Sequence, residues 1–306
     1  MIGAALVTRN LVKRRGRNRA LDGLTLSVPR GSVMGLVGAN GAGKTTWMMT
    51  VAGFLRPDSG EVDLLGRGPF NAECHAGRFA ILPQDSELPS EVSPEAALYR
   101  FGRLQGLSTQ QARRSATDAL AAVNLANRAH ASMRTLSHGM RKRVMVAQCF
   151  TGSPGVVLLD EPLNGLDPVE ADRLRRFLIS KRGRQTIVVS SHNLKDIERL
   201  CTHVAFIDAG RVVRMDTLAS ITQAGRVVFM LSSEPKDMQA LSGAAPGVAF
   251  EWSEDSRELV CTFGEDAGGV AAVNRRLIPA LLVQTDILSV TSGLSLEEAF
   301  LARPAK

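Results

Sequence analysis

The chain has 306 residues with 44% hydrophobic and 22% charged side chains, a globular composition that excludes an intrinsically disordered protein and suggests about two domains. It contains neither an apolar run of the ~18 residues that span a bilayer nor a signal peptide, so we expect a cytoplasmic protein without a membrane span. The net charge of +7 suits a nucleic acid, an anionic lipid surface or a polyanionic ligand, but the basic clusters lack interleaved aromatic residues that stack bases, which disfavours nucleic acid.

The first predicted elements surround a glycine-rich loop. Strands at residues 4–9 and 24–28 flank a basic loop, and a buried strand follows at residues 33–37. The next residues fit the pattern G-x-x-x-x-G-K-[ST], in which backbone N–H groups and a helix N-terminus cradle phosphates. The lysine of this pattern reaches the β- and γ-phosphates, and the hydroxyl residue after it ligates Mg²⁺. We therefore predict a nucleotide-binding phosphate loop, followed by a helix that begins near Gly43. The residues of the loop are Gly38, Ala39, Asn40, Gly41, Ala42, Gly43, Lys44, Thr45 and Thr46.

Further strands and a helical insert extend this into an α/β domain. Strands are predicted at residues 61–65, 79–82, 156–159 and 186–190. Residues 88–150 have helical composition and spacing instead, and a later hairpin turns at residues 208–210. Strands that alternate with helices indicate a mostly parallel sheet. The predicted fold class is therefore α/β, a phosphate-loop nucleotide hydrolase with a helical insert, over residues 1–222.

Two carboxylates follow the predicted strand at residues 156–159. Hydrolysis at a phosphate loop requires a carboxylate for Mg²⁺ and a group that orients the attacking water. Asp160 is placed to hold Mg²⁺, directly or through water, and Glu161 to polarise the water. Two solvated carboxylates after a core strand are the alternative, but the phosphate loop upstream favours the catalytic interpretation.

The character of the chain changes after residue 222. Strands and helices then follow in the order βαββαβ, with the last strand at residues 282–288, which predicts a small ferredoxin-like α+β domain over residues 223–306. No cluster of His, Asp, Glu or Cys in this domain suggests a site. We therefore expect a regulatory or interaction domain.

Six motifs occur in a family-specific order. They are the phosphate loop, Gln84 after a strand, residues 136–140 (LSHGM, called the signature segment below), Asp160 with Glu161, residues 164–167 (NGLD), and His192. In this order and spacing the chain resembles the nucleotide-binding subunit of an ATP-binding cassette (ABC) transporter. The resemblance implies that the chain hydrolyses ATP with Mg²⁺ and dimerises, as a homodimer or with a paired cassette subunit. It also implies a separate membrane permease subunit as partner, at the inner face of the cell membrane.

The resemblance assigns roles to individual side chains. Gln84 is implied to touch magnesium or the attacking water, and His192 the γ-phosphate. Ser137 and Gly139 of the signature segment are implied to bind the ATP that the other subunit holds. Asp167 is implied to cross the dimer interface.

Three positions depart from the family pattern. The signature segment reads LSHGM where LSGGQ is commonest, so His138 and Met140 differ while the serine and second glycine are kept. Arg15 stands where many members stack an aromatic ring on adenine. A guanidinium also stacks on bases, and a solvated basic loop is an equal alternative. Trp47, where a smaller residue is common, is interpreted as a core residue.

The C-terminal residues and the charge leave functional alternatives. Residues 295–301 resemble the end of bacterial export-type cassettes of the drug and sodium efflux group, although S-L-E-x-x-F also fits a plain amphipathic helix. The prediction is an exporter subunit. A non-transport ATPase switch that acts on nucleic acid or ribosomes is the first alternative, suggested by the positive charge. A soluble phosphate-loop kinase is the second, and it leaves the signature segment, Asp167 and His192 unexplained.

Overall fold

A long β-hairpin opens the chain in the computed structural model, which describes residues 3–222, 225–293 and 296–297. Its strands β1 (Ala4–Arg15) and β2 (Asn18–Pro29) are antiparallel, and only Gly16 and Arg17 separate them. The prediction of a basic loop here is therefore wrong, because the basic residues lie on the strands and in a two-residue turn. The left-handed φ of Gly16, +60°, is the conformation that such a turn requires. Consecutive Lys and Arg residues conceal the apolar–polar alternation from which strands are recognised.

The chain divides into two compact units, Met1–Asp216 and Thr217–Lys306. Further strands that begin in the first unit are β3 (Val33–Val37), β4 (Ser59–Leu64), β5 (Phe79–Leu82), β6 (Val156–Leu159), β7 (Thr186–Ser190), β8 (His203–Asp208) and β9 (Arg211–Thr217). The helices of this unit are α1 (Lys44–Val51), α2 (Ala72–His75), α3 (Pro94–Leu104), α4 (Thr109–Ala122), α5 (His138–Gln148), α6 (Pro168–Ile179) and α7 (Leu194–Leu200). The predicted domain boundary after residue 222 falls in the second unit and stays a prediction.

A six-stranded sheet forms the centre of the first unit, in the order β5-β6-β7-β3-β8-β9. The pairs from β5 to β8 are parallel, and their strands are almost entirely buried. β9 returns from β8 through Ala209 and Gly210, whose positive φ values of 45° and 74° fit a hairpin turn. This architecture confirms the α/β prediction. Parallel strands bring their carboxyl ends to one edge of the sheet, where ligands of such folds bind.

Trp47 connects the first turn of α1 to a second sheet, which is antiparallel and has the order β2-β1-β4. Its indole is fully buried, and Nε1 donates a hydrogen bond to the Thr8 hydroxyl at 3.2 Å. That hydroxyl donates in turn to the Leu26 carbonyl on β2. The interpretation of Trp47 as a core residue is thus confirmed, and the structure adds a polar connection at its tip.

Three helices, α3, α4 and α5, form the predicted helical insert, and its first helix begins at Pro94. At the start of α4 the Ser108 hydroxyl accepts the Gln111 N–H, and the Gln111 side chain accepts the Ser108 N–H. This reciprocal cap satisfies two N–H groups that a helix start leaves unpaired. It confirms the cap that the sequence predicts there.

The second unit contains the elements α8 (Leu218–Thr222), β10 (Arg226–Leu231), α9 (Met238–Ala244), β11 (Val248–Ser253), β12 (Glu258–Phe263), α10 (Val270–Leu282) and β13 (Ile287–Ser292). After α8 the order is βαββαβ as predicted, and the antiparallel strand order β11-β12-β10-β13 is that of a ferredoxin-like sheet.

The last predicted strand is present, but its predicted bounds, residues 282–288, are wrong. α10 continues past Pro279 to Leu282, because Val273, Leu277 and Leu281 form one buried face along it. The strand begins only at Ile287. Of the export-type C-terminal motif at residues 295–301, all but 296 and 297 lie outside the described residues. No helix within the ranges that the structure describes is long and apolar enough to cross a membrane.

Candidate functional site

The phosphate loop connects the end of β3 to the start of α1. Gly41 and Gly43 have φ values of +82° and +112°, which glycine adopts without strain. A Cβ on Gly38 would lie 2.3 Å from the carbonyl oxygen of Ile207, so this position also requires a glycine. No side chain caps the N-terminus of α1, which leaves the N–H groups of its first turn to an anion.

Lys44 places a buried positive charge beside this loop. Its Nζ donates hydrogen bonds to the carbonyl oxygens of Gly38 at 2.6 Å and Ala39 at 3.2 Å. Burial lowers the pKa of Lys44, and the nearby Glu161 and Asp160 carboxylates oppose this shift. The loop thus holds an ammonium group close to the two acids that the sequence selects.

A cavity of about 370 Å³ opens at the phosphate loop and collects residues from distant parts of the chain. The hairpin contributes Arg15, whose exposed side chain lines the wall, and the segment after β5 contributes Gln84. The full lining consists of Arg15, Asn40, Gly41, Gly43, Lys44, Thr45, Thr46, Gln84, Asp160 and Glu161. Most of the predicted loop residues, Gln84 and the two acids therefore meet in one place, whereas Gly38, Ala39, Ala42 and His192 are not among the lining residues. No aromatic side chain of the described residues lines this cavity.

Asp160 and Glu161 follow β6 at the carboxyl edge of the sheet, and both are buried. The neighbouring strand β7 ends at Ser190, whose hydroxyl donates to Asp160 Oδ1 and accepts the N–H of Glu161 at 2.8 Å. Glu161 has a left-handed backbone with φ +49°. Its Oε2 lies 3.0 Å from Nδ1 of His192, which brings the predicted base and histidine into direct contact.

The chemistry of the donors fits a magnesium ion. Asp160 Oδ2 is buried and has no hydrogen-bond partner among the described residues. Thr45 and Gln84 add oxygen donors to the same cavity. Mg²⁺ prefers oxygen ligands and is often held by one carboxylate together with substrate phosphates. Such a site needs no cluster of three acidic or histidine side chains, and none occurs in the described ranges.

Ser190 is a site residue that sequence reasoning missed. The sequence signal is its position at the carboxyl end of a strand that neighbours β6, the strand just before Asp160. We predict that Ser190→Ala lowers ATP hydrolysis about tenfold, because a hydrogen bond to a charged group contributes about 1.5–3 kcal/mol and the Glu161 N–H loses its partner. Steady-state hydrolysis measures this. Ser32→Ala is the control, since Ser32 is also buried and bonds the Pro29 carbonyl. Equal rates for both variants would contradict the role.

Ser137, Gly139 and Asp167 are not among the residues that line the cavity. Ser137 caps α5, where its hydroxyl accepts the N–H of Met140 at 3.2 Å. Asp167 caps α6 by accepting the N–H groups of Val169 and Glu170, each at 3.0 Å. The structure therefore brings the predicted ATP residues together within one chain and leaves the signature segment and Asp167 apart from them.

Comparisons with known proteins agree with this geometry. A model of the ABC transporter family matches residues 21–164. The chain is 37% identical over 213 residues to "Nod factor export ATP-binding protein I" of Ralstonia nicotianae, over 68% of this chain and 65% of that protein, just under two thirds of its length. It is 32% identical over 309 residues to "Daunorubicin resistance ATP-binding protein DrrA3" of Streptomyces coeruleorubidus, over 98% and 96% of the two chains. Among solved structures, an ATP-binding subunit of an ABC transporter is 28% identical with a TM-score of 0.64, over 71% of this chain and 91% of that one.

Proposed function

This chain belongs to the ABC transporter family, as an export-type nucleotide-binding subunit that hydrolyses ATP, and we propose that it drives a separate membrane permease by dimerising around two ATP molecules. The observation that carries the proposal is the division of the predicted site residues. Lys44, Thr45, Gln84, Asp160 and Glu161 line a single cavity and His192 contacts Glu161, whereas Ser137, Gly139 and Asp167 do not line it. A second copy of the chain would supply the missing set to each ATP.

The proposed chemistry follows from the contacts around Glu161. Its buried carboxylate accepts a proton from water, and His192, held at 3.0 Å, orients the carboxylate and contacts the γ-phosphate. Lys44 and the N–H groups of the phosphate loop hold the phosphate oxygens. Asp160, Thr45 and Gln84 would hold Mg²⁺, which, when bound, neutralises charge on the phosphates. Arg15 would lie against the base.

The two basic clusters are partly paired with carboxylates or buried, which weakens the alternative of a nucleic-acid switch. In the hairpin, Lys13 pairs with Asp58 at 3.2 Å and Arg19 with Asp22 at 2.7 Å, which neutralises part of its charge. In the second cluster, residues 141–143, the side chains of Lys142 and Arg143 are buried. A buried cation cannot bind a phosphate backbone at the surface. The remaining charge suits a location at an anionic membrane face, where we propose that the chain works from the cytoplasm.

Purification from detergent-solubilised cells tests the partner. We expect a tagged chain to capture a membrane protein with several predicted spans, and reconstitution with that protein in vesicles to change its ATP hydrolysis rate. The capture should persist at high salt. RNA that copurifies at low salt and is lost at high salt, without a membrane protein, would support the nucleic-acid alternative instead.

The second unit is proposed as a regulatory or interaction domain. It has its own buried core, built from Val227, Phe229, Leu241, Leu259 and Leu277 among others. No cluster of metal-binding side chains occurs in its described residues.

A further inference from the structure

Within one chain, the two segments proposed to face the partner subunit lie against each other. A Cβ on Gly139 of the signature segment would lie 2.9 Å from Cγ of Glu170 on α6, so this glycine permits close packing of α5 on α6. One residue earlier, Nε2 of His138 lies 3.5 Å from where a Cβ of Gly165 would be. The signature segment and residues 164–170 are thus in direct contact.

A buried ion pair joins the same two helices. Nε of Arg143 on α5 lies 2.6 Å from Oε2 of Glu170 on α6, and the two side chains are 2% and 13% exposed. The guanidinium also donates to the Val123 carbonyl at the end of α4. Besides each other, Arg143 Nε and Glu170 Oε2 have no hydrogen-bond partner in the described part of the chain. The contact is therefore a close charge pair, in which the other carboxylate oxygen of Glu170, Oε1, also accepts a hydrogen bond from Arg173 at 2.8 Å.

Glu170 also bonds Asp167, so the contact between α5 and α6 extends to that residue. The backbone N–H of Glu170 donates to the Asp167 carboxylate at 3.0 Å, in the cap of α6. A single residue therefore touches the glycine of the signature segment, pairs with the arginine about one turn further along α5, and bonds the aspartate proposed for the dimer interface. Movement of α5 relative to α6 would shift the signature segment and Asp167 relative to each other.

We infer that Arg143 and Glu170 are positioning residues, which hold the signature segment and Asp167 in the one arrangement that closes on an ATP in a second copy of the chain. This inference rests on the proposed function. Neither residue lines the ATP cavity, so their loss would spare ATP binding by the single subunit. Ser137, Gly139 and Asp167 are proposed to meet ATP only when a second copy of the chain is present. Dimerisation is therefore the step that the ion pair controls.

The test uses the full chain with Glu161→Gln, which retains ATP, as the parent. Into it we introduce Glu170→Gln, which keeps the side-chain shape and removes the charge. Arg173→Gln is the matched control, because Arg173 also pairs with Glu170, at 2.8 Å, but lies on the same helix α6, so this pair does not join α5 to α6. Fluorescent ATP measures affinity in dilute monomer, sedimentation measures ATP-dependent dimerisation, and circular dichroism reports the fold.

We expect Glu170→Gln to change monomer ATP affinity by less than about twofold and to weaken dimerisation by about 10- to 100-fold, because Arg143 is left buried without its partner charge, with Arg173→Gln close to the parent. Dimerisation equal to the parent would overturn the inference, as would an equal loss of ATP affinity, which indicates general structural support. Should Glu170→Gln fail to fold, Arg143→Lys keeps the charge without the planar fork, and we expect about threefold weaker dimerisation. An unchanged value there overturns the inference. A parent that does not dimerise with ATP contradicts the proposed function itself, and the inference falls with it.

Discussion

Glu161→Gln is expected to lower ATP hydrolysis by about 10²- to 10⁴-fold, the contribution of a positioned general base. The glutamine keeps the size of the side chain and still reaches His192, but it cannot accept a proton from water. The backbone contact of residue 161 to the Ser190 hydroxyl is unaffected, so the fold should persist. ATP binding should persist as well, because Lys44 and the phosphate loop are unchanged. The variant should therefore accumulate as an ATP-bound dimer.

Single-turnover hydrolysis and sedimentation with ATP measure the two effects of this variant. Glu87→Gln is the control, since Glu87 is an exposed carboxylate a few residues after Gln84 that does not line the cavity. We expect its rate and dimerisation to match the unmodified chain. Hydrolysis that continues in Glu161→Gln, together with a failure to trap a dimer, would show that the proposed mechanism is wrong.

Lys44→Met should raise the dissociation constant for ATP about 10- to 100-fold. The ammonium is buried and already oriented by two carbonyl oxygens of the loop, so phosphate oxygens replace part of that bonding without a large rearrangement. Hydrogen bonds between charged groups contribute about 1.5–3 kcal/mol each, and the loss of one accounts for this factor. Methionine fills a similar volume, which limits the loss of packing.

Titration with fluorescent ATP gives the dissociation constant for this second variant. Lys195→Met removes an equal charge from an exposed position on α7 and serves as the control. It separates the specific role of Lys44 from the effect of net charge. Unchanged affinity in Lys44→Met would mean that the loop binds phosphate through its backbone alone.

The parts of the site that local patterns encode were predictable. The phosphate loop and the strand just before Asp160 follow from runs of adjacent residues, as does the βαββαβ order outside the site. His192 and Gln84 depended on family resemblance, because nothing near them in sequence marks a site. The structure places His192 on Glu161 and Gln84 in the cavity.

The contacts that join distant segments were not predictable. Ser190 bonds residues about 30 positions earlier, and Glu170 pairs with Arg143 across two helices. Such pairs depend on strand order and helix packing, which a single sequence does not specify. At the end of α10 the local pattern itself was misleading. Leu282 and the capping residue Val283 have the composition of a strand, but the buried face along the preceding turns continues the helix to Leu282.

The contacts of Trp47 affect which elements of the first unit unfold together in local opening. Through Thr8 it joins the helix after the phosphate loop to β1 and β2, so these elements should open as one cooperative unit. A ligand that binds only the closed form raises the free energy of that opening with the logarithm of the ligand concentration divided by its dissociation constant. Amide hydrogens of β1 and β2 would then exchange with deuterium more slowly in the presence of nucleotide, including those far from the phosphates.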